Sequence, residues 1–203
     1  MQIILVRHGE SVGNFENRLQ GQEDYDLTDL GRVQALRAAD RLHQLGTSAI
    51  YTSHLLRANA TAGVIADRLG LLPMITEAVS EYHFGEMSGA TYAEIRERFG
   101  AVANPAERVY PGEEGRDVFF ARVTNAVYRI ADAHPDETVA IVSHGGPIAL
   151  FCQHVLGLPY RRPMPFSIDN CSLNVIDVGA NRSGERELCL VRLNDTCHLS
   201  GLT

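Results

Sequence analysis

The 203-residue sequence contains no long apolar run, and no stretch approaches the roughly eighteen continuous apolar residues that a membrane-spanning helix requires. Its N-terminus has no basic segment followed by an apolar one, so we expect no secretion signal. Basic residues are outnumbered, with 18 Lys and Arg against 25 Asp and Glu and a net charge of −7. Nucleic acids and anionic membranes require a broad basic face. The sequence therefore predicts a cytoplasmic protein that binds neither.

Cysteine is scarce and unpatterned. The four cysteines lie in the last quarter of the chain without a Cys-x-x-Cys pair: Cys152, Cys171, Cys189 and Cys197. This distribution disfavours a zinc site and a disulfide scaffold, and predicts reduced packing residues. The sequence also lacks a carboxylate cluster suited to Mg²⁺, so we expect no metal.

Two short apolar runs each end at a histidine. Residues 3–6 lead into Arg7 and His8, and residues 138–143 lead into His144. Their length and β-branched content predict strands of a parallel sheet that are buried on both faces. Ligands of such sheets bind beyond the carboxyl ends of the strands. Both histidines are therefore expected at one crevice.

Other segments alternate between helical and strand patterns. Thr28 is expected to cap a helix that ends at Gly46 and covers one sheet face with six apolar residues, Leu30, Val33, Leu36, Ala39, Leu42 and Leu45. Further helices are predicted from residue 53 to about 69, with Arg57 in the first turn, and at 91–99, 117–133 and 148–156, the last with Pro147 at its first position. Further strands are predicted at 49–52, 72–75, 171–178 and 187–193.

This order predicts one α/β domain spanning residues 1–203. We expect a three-layer sandwich with a mainly parallel central sheet, an antiparallel edge and helices on both faces. Residues 11–26 and 77–89 are predicted loops over the strand ends, and 101–115 an irregular excursion containing Arg108. Arg161 and Arg162 are expected to be solvated, as are His54 and three other peripheral histidines, whereas the tail around His198 could fold over the crevice.

The grouped residues suit a phosphoryl group. Arg7 and Arg57 can bind phosphate oxygens through their forked donors, and backbone N–H groups of Gly145 at a helix start add a positive field. Phosphoryl transfer depends largely on such positioning and charge stabilisation. His144 would act as a charge clamp if protonated.

These motifs resemble the histidine phosphatase superfamily, in its phosphoglycerate-mutase-like branch, over essentially the whole chain. Four motifs carry the resemblance: Leu5-Val6-Arg7-His8-Gly9-Glu10-Ser11, Ser53-His54-Leu55-Leu56-Arg57-Ala58, Glu81-Tyr82-His83-Phe84-Gly85-Glu86-Met87-Ser88-Gly89 and Ser143-His144-Gly145-Gly146. Met87 stands where the family commonly has Trp, and the chain contains no Trp. Residues 111–115 also depart from the Pro-Gly-Gly-Glu-Ser often found there.

The resemblance implies that His8 is the nucleophile and forms a phosphohistidine. Arg7, Arg57 and His144 would hold the phosphoryl oxygens, and Asn14 would join them. Glu81 would protonate the leaving oxygen and then activate water, with Glu77 and Glu86 as competing candidates. Four further residues are expected to bind substrate: Gln20, Gly21, His83 and Gly145. His83 could instead pack beside Phe84. The mechanism requires no metal or cofactor.

Three functions remain open on this basis. The first is a phosphatase hydrolysing a small acidic phosphomonoester, with a homodimer left open. The second is a cofactor-dependent phosphoglycerate mutase, which returns the phosphoryl group to its product. The third is a non-catalytic phosphate-binding module, which the presence of His8 and Glu81 disfavours.

Overall fold

A computed structural model of the chain describes residues 1–99, 110–159 and 165–202. These residues form one six-stranded sheet, with β1 at Gln2–Arg7, β2 at Ala49–Thr52, β3 at Pro73–Ile75, β4 at Thr138–Ser143, β5 at Leu173–Ala180 and β6 at Arg186–Asp195. The strand order is β3-β2-β4-β1-β5-β6. The first four strands of this order pair in parallel, and β5 and β6 add an antiparallel edge. The predicted mainly parallel sheet is confirmed.

The described residues form six α-helices, with α1 at Val12–Phe15, α2 at Asp29–Gln44, α3 at Leu56–Leu69, α4 at Tyr92–Phe99, α5 at Arg116–Ala133 and α6 at Gly145–Val155. Thr28 caps α2 as predicted, because its Oγ1 accepts the Gly31 N–H at 3.0 Å. The single-turn helix α1 was not predicted and lies inside the expected loop 11–26. No helix in the described part of the chain is long and apolar enough to cross a membrane.

Helices cover both faces of the sheet. Along β1, Ile4 and Val6 point toward the cluster that contains α2 and α3, whereas Ile3 and Leu5 join the cluster that contains α5 and α6. This alternation follows from the two-residue period of a strand, and it explains why the run had to be apolar throughout. The three-layer α/β sandwich is therefore confirmed.

The predicted apolar face of α2 is confirmed at Ala39 and Leu42, which are buried, and wrong at three other positions. Leu30, Val33 and Leu36 are 37%, 41% and 51% exposed. The buried stripe consists mostly of small residues instead: Gly31, Ala35, Ala38, Ala39 and Leu42. This stripe packs against α3, which also buries several alanines, so the two helices meet through small side chains. On α5 the apolar residue Val118 is likewise 60% exposed, whereas its neighbour Phe119 is buried.

Two notable parts of the sequence lie outside the described residues. The predicted excursion at 101–115 is described only from Tyr110 onward, so Arg108 is not among the described residues. The pair Arg161 and Arg162 also lies outside them. Their predicted roles stay predictions.

The turn after β1 packs directly on the start of α2. A Cβ at Gly9 would collide with the carbonyl of Gly31, and a Cβ at Gly31 would collide with the backbone of Glu10. Only glycine permits this approach of two backbones. The position of His8, between β1 and Gly9, therefore depends on α2.

We expect Gly31→Ala to destabilise the protein by about 1–3 kcal/mol, because the added methyl overpacks a contact between backbones. Gly63→Ala is the matched control: it lies inside α3, and a Cβ there meets no atom within 4 Å. That control should instead stabilise the protein by about 0.5–1 kcal/mol through helix propensity. Urea unfolding measures both, and equal effects of the two substitutions would contradict the packing argument.

Candidate active site

The pairing of β1 with β4 brings the two predicted histidines together. Arg7 is in register with Ser143, and the His8 N–H donates to the Ser143 carbonyl at 2.9 Å. The centroids of the His8 and His144 rings are 5.2 Å apart. His144 is the N-cap of α6, which starts at Gly145 and places Pro147 third. The prediction of Pro147 at the first helical position was wrong because the helix begins directly after the strand end.

The surroundings of His8 fix its tautomer. Its Nδ1 lies 2.7 Å from the Gly9 carbonyl oxygen. A carbonyl only accepts hydrogen bonds, so Nδ1 carries the proton and Nε2 keeps its lone pair. Burial, Arg57 and Arg7 lower the pKa of His8 well below its ordinary value. His8 is therefore neutral and can act as a nucleophile through Nε2.

Backbone carbonyls hold the two predicted arginines. Arg57, only 1% exposed, donates from its terminal nitrogens to Glu23 and Gly21 at 2.8 and 2.7 Å. Arg7 donates to the carbonyl of Ile168 at 2.6 Å. Burial lowers the pKa of both groups, that of Arg57 to about 10, so both stay charged at neutral pH. The Nε atoms of Arg7 and Arg57 are buried and have no hydrogen-bond partner.

His144 is fully buried, and neither of its ring nitrogens has a hydrogen-bond partner. Burial, Arg57 and His8 lower its pKa well below the ordinary value. The protein without ligand thus holds a neutral imidazole here, contrary to the charged clamp considered from the sequence. A bound anion would oppose the lowering and supply the missing partners.

Glu81 faces this group from the opposite loop. Its carboxylate accepts the N–H of Tyr82 at 2.8 Å and the N–H of Gly146 at 3.1 Å. A Cβ at Gly146 would collide with this carboxylate, so any larger residue there would displace the Glu81 side chain from its present position. Its charge raises the pKa of Arg7 and Arg57 against the effect of burial. The competing candidates are both exposed, and Glu86 lies 4.0 Å from Arg98.

Asn170, which was not predicted from the sequence, links Asn14 to His8. The Nδ2 of Asn170 donates to the His8 carbonyl at 2.9 Å and to Asn14 Oδ1 at 3.2 Å. That Oδ1 also accepts the Ser11 N–H and hydroxyl. The Asn14 oxygen is thereby committed to the protein, which leaves its Nδ2 as the donor for a ligand.

The predicted substrate-binding residues have different surroundings. Gln20 is 8% exposed, and its Oε1 accepts the Ser11 hydroxyl at 2.7 Å. Gly21 has a φ of +54°, which favours glycine, and contributes the carbonyl that holds Arg57. Gly145 begins α6, and a Cβ there would lie 3.9 Å from the Arg7 Nε. Their contacts with substrate stay predictions.

A cavity of about 580 Å³ lies beside the Glu81 loop, because Gln22 and Arg122 of its lining bond the Glu81 carbonyl. Its described lining comprises Gln22, His54, Glu77, Ala78, His83, Gly112, Glu114 and Arg122. The other proposed site residues His8, Arg7, Arg57 and His144, and Glu81 itself, are not among its described lining. The Nδ1 of His83 accepts the Gly85 N–H at 3.0 Å, so its Nε2 carries the proton and can donate. His54 is exposed, as expected, and it also belongs to the lining of this cavity.

In the described part of the chain, the tail around His198 makes no hydrogen bond with His8 or His144. Its Nε2 lies 3.0 Å from the Cys171 carbonyl, and residues Cys197–Leu199 form a short helical turn that contacts α2. The four cysteines are free, with Cys152 and Cys171 buried. No group of three or more His, Cys, Asp or Glu among the described residues could hold a metal ion.

One signal could have revealed Asn170. Strand β5 runs antiparallel to β1, so the residues that precede β5 lie at the same edge as the residues that follow β1. Sequence reasoning searched only the carboxyl ends of strands. Gln22 lacked such a signal: its Nε2 donates to the Glu81 carbonyl at 3.2 Å across two irregular loops.

The fold and site thus define an α/β protein with a cationic crevice around a neutral histidine. A family model of the histidine phosphatase superfamily (branch 1) matches residues 3–191, and the chain belongs to this superfamily. The chain is 41% identical to phosphoglycerate mutase-like protein 4 of Arabidopsis thaliana over 155 residues, which cover 72% of this chain and 67% of that protein.

Two other similarities cover nearly the full length. Phosphoserine phosphatase 1 of Hydrogenobacter thermophilus is 32% identical over 205 residues, 98% of this chain and 94% of that protein. The structure of a mycobacterial glucosyl-3-phosphoglycerate phosphatase superimposes with a TM-score of 0.84 at 28% identity, covering 95% of this chain and 98% of the other. The family resemblance drawn from the motifs is confirmed.

The lowered pKa values of His8 and His144 predict a pH-dependent stability. Below about pH 6.5 the unfolded chain binds protons at both imidazoles, whereas the folded protein does not. The free energy of unfolding therefore decreases as the pH is lowered. Each histidine should lower the free energy of unfolding by up to about 1.4 kcal/mol for every pH unit below this value.

Urea unfolding at pH 7.5 and 5.5 tests this expectation. We expect His8→Gln and His144→Gln each to lose less stability than the unsubstituted protein between these two pH values. The same loss in all three proteins would show that the buried imidazoles are not linked to folding.

Proposed function

We propose that the chain is a metal-independent histidine phosphatase that hydrolyses a small acidic phosphomonoester through phosphorylation of His8. Members of its family act on small phosphorylated substrates, and two of the similar proteins are named as phosphatases. The proposal assigns the nucleophile to His8, the phosphoryl clamp to Arg7, Arg57 and His144, and the general acid to Glu81.

One observation carries this proposal. Eight buried side-chain nitrogen or oxygen atoms among the described residues have no hydrogen-bond partner, and four of them belong to three predicted site residues. They are the Nε atoms of Arg7 and Arg57 and both ring nitrogens of His144. Buried polar groups without partners are costly, so their concentration here supports a site built for a polar ligand. Phosphoryl oxygens would supply acceptors for the arginines.

The proposed reaction has two steps. First, the Nε2 lone pair of His8 attacks phosphorus, the bond from phosphorus to the ester oxygen breaks, and protonated Glu81 donates its proton to that oxygen. Second, the Glu81 carboxylate takes a proton from water, whose oxygen attacks phosphorus as the bond to Nε2 breaks. Inorganic phosphate leaves, and both residues return to their starting states. The fixed cations stabilise the charge in both transition states.

Asn14 and Gly145 would add neutral donors to this clamp. The Nδ2 of Asn14 is oriented because its Oδ1 is held by Ser11 and Asn170. The Gly145 N–H lies in the first turn of α6, where the helix presents unpaired backbone donors to an anion. Donors that are already oriented need little reorganisation when charge develops in the transition state.

The cavity beside Glu81 favours hydrolysis over the mutase reaction. A mutase must hold a second acidic group and exclude water from the phosphorylated histidine. Among the described lining residues the only arginine is Arg122, whose donors are taken up by protein acceptors, and Glu77 and Glu114 are acidic. This lining would repel a second anion more than it would hold one.

We extend the proposal to the domain organisation, the cellular location and the class of substrate. We infer a single catalytic domain over residues 1–203, supported by the one sheet that carries all the proposed residues or their flanking loops. Four free cysteines support a cytoplasmic location. The substrate is a small molecule rather than nucleic acid, in keeping with the net charge of −7, and a homodimer is compatible with the site.

Rapid quench with labelled substrate in the presence of EDTA should yield an acid-labile, alkali-stable phosphoprotein. His8→Ala should abolish it, because the Gly9 carbonyl holds the proton of His8 on Nδ1 and leaves the Nε2 lone pair free beside both arginines. Asn170→Ala should only reduce the amount of phosphoprotein, because Asn170 supports His8 and Asn14 and takes no part in the reaction itself. Full turnover by His8→Ala, or activity that EDTA abolishes and Mg²⁺ restores, would refute the mechanism.

The choice between phosphatase and mutase has its own measurement. Incubation with 3-phosphoglycerate and a trace of 2,3-bisphosphoglycerate should release inorganic phosphate with little 2-phosphoglycerate, because water reaches phospho-His8. Rapid formation of 2-phosphoglycerate would assign the mutase function while leaving His8 as the nucleophile. No turnover of any phosphomonoester would favour the binding module.

A further inference from the structure

Arg122 uses its entire guanidinium on protein acceptors around the Glu81 loop. Its Nε and Nη2 donate to the two carboxylate oxygens of Glu114 at 3.1 and 2.7 Å. This is the forked geometry in which arginine binds carboxylates most strongly. The two side chains are 20% and 14% exposed, so solvent screens the pair only in part.

The remaining donors of Arg122 reach the backbone that leads into Glu81. Its Nη1 donates to the carbonyls of Ala78 and Ser80 at 3.1 and 2.9 Å. Its Nη2 also approaches the Glu81 carbonyl at 3.4 Å. Arg122 therefore fixes the path of residues 78–81 from one side, while α5 provides a rigid base for it.

Glu114 fixes the chain on the other side of Glu81. Its Oε1 accepts the His83 N–H at 2.9 Å, and its own N–H donates to the His83 carbonyl at 3.1 Å. The Arg122–Glu114 pair thus holds the backbone before and after the proposed acid. Among the described residues, the pair makes no hydrogen bond with His8, Arg7 or Arg57.

Glu81 requires such a fixed backbone because its carboxylate fits tightly against α6. The carboxylate lies between the Tyr82 and Gly146 N–H groups, and even a methyl group at Gly146 would collide with it. A shift of the 78–83 backbone would move the acid relative to the leaving oxygen. Misplacement of a catalytic group by about 1 Å can cost on the order of a hundredfold in rate.

We propose that Arg122 and Glu114 are positioning residues that place Glu81 for proton donation to the leaving group. This inference rests on the proposed function, in which Glu81 is the general acid. Lysine could not replace Arg122, because an ammonium offers three donors without the planar fork and cannot serve the carboxylate and the carbonyls together. The role concerns the proton and not the phosphoryl clamp.

The test compares two substrates in single-turnover phosphorylation of the full chain. An alkyl phosphate needs a proton on its leaving oxygen, whereas p-nitrophenyl phosphate has a good leaving group and needs little assistance. Arg122→Gln and Glu114→Gln should slow the alkyl phosphate roughly ten- to a hundredfold and p-nitrophenyl phosphate by no more than about twofold. In a Glu81→Gln background they should have no further selective effect.

Thr124→Ala is the matched control for lost stability. Thr124 lies on the same helix, is 6% exposed, and donates only to carbonyls within α5, at Phe120 and Ala121. Its loss should lower the unfolding temperature without separating the two substrates. If Arg122→Gln does not fold, Arg122→Lys and Glu114→Gln decide the question by the same selective loss.

Four outcomes would overturn the inference. An equal loss on both substrates would mean a general structural role, and a rise in KM alone would mean that the pair binds substrate. A selective loss that adds fully to that of Glu81→Gln would mean that the pair acts on another group. If Glu81→Gln itself shows no selective loss while Arg122→Gln does, the proposed acid is wrong and the pair positions a different one.

Discussion

The register of β1 against β4 determines both the core and the site. The pairing runs from Gln2 with Thr138 to Arg7 with Ser143, and it places the residues after each strand side by side. A slip of one residue would move every side chain of β1 to the opposite face, since the side-chain period of a strand is two. It would also separate His8 from His144. One set of backbone hydrogen bonds therefore sorts the apolar residues between two helical layers and aligns the reacting groups.

Bringing like charges together in a buried crevice is unfavourable, and the structure offsets this cost in two ways. Carbonyl oxygens of Gly21, Glu23 and Ile168 solvate the arginines, while the imidazoles of His8 and His144 lose their charge. The chain contains no lysine, so all 18 basic residues are arginines. A lysine buried to the same extent would lose its proton far more readily than a guanidinium. The crevice can therefore remain dry and positive before any substrate arrives.

The sequence predicted the parts of the molecule that follow one-dimensional periodicity. Continuous apolar runs located the strands, and strand ends located His8 and His144. It failed where contacts between elements determine which face of a helix is buried, as on α2. Small residues such as Ala35 and Ala38 form the buried stripe there, although they are less hydrophobic than the exposed Leu36. Contacts between irregular loops, such as those of Arg122, leave no period in the sequence at all. The conformation that brings them together arises only from the complete fold.

The two halves of the crevice are formed by different kinds of secondary structure. The phosphoryl half consists of strand ends and helix starts that are locked to the sheet and to α2. The half that would receive the rest of the substrate consists of short turns at 77–89 and 110–115. Side chains from several elements hold these turns, among them Arg122 of α5 and Ser143 of β4. Substitutions in those turns at positions other than Glu81 and Glu114 can reshape the receiving surface while leaving the reaction chemistry intact. Proteins with this arrangement can acquire different substrates through changes in these loops while they keep the same reaction.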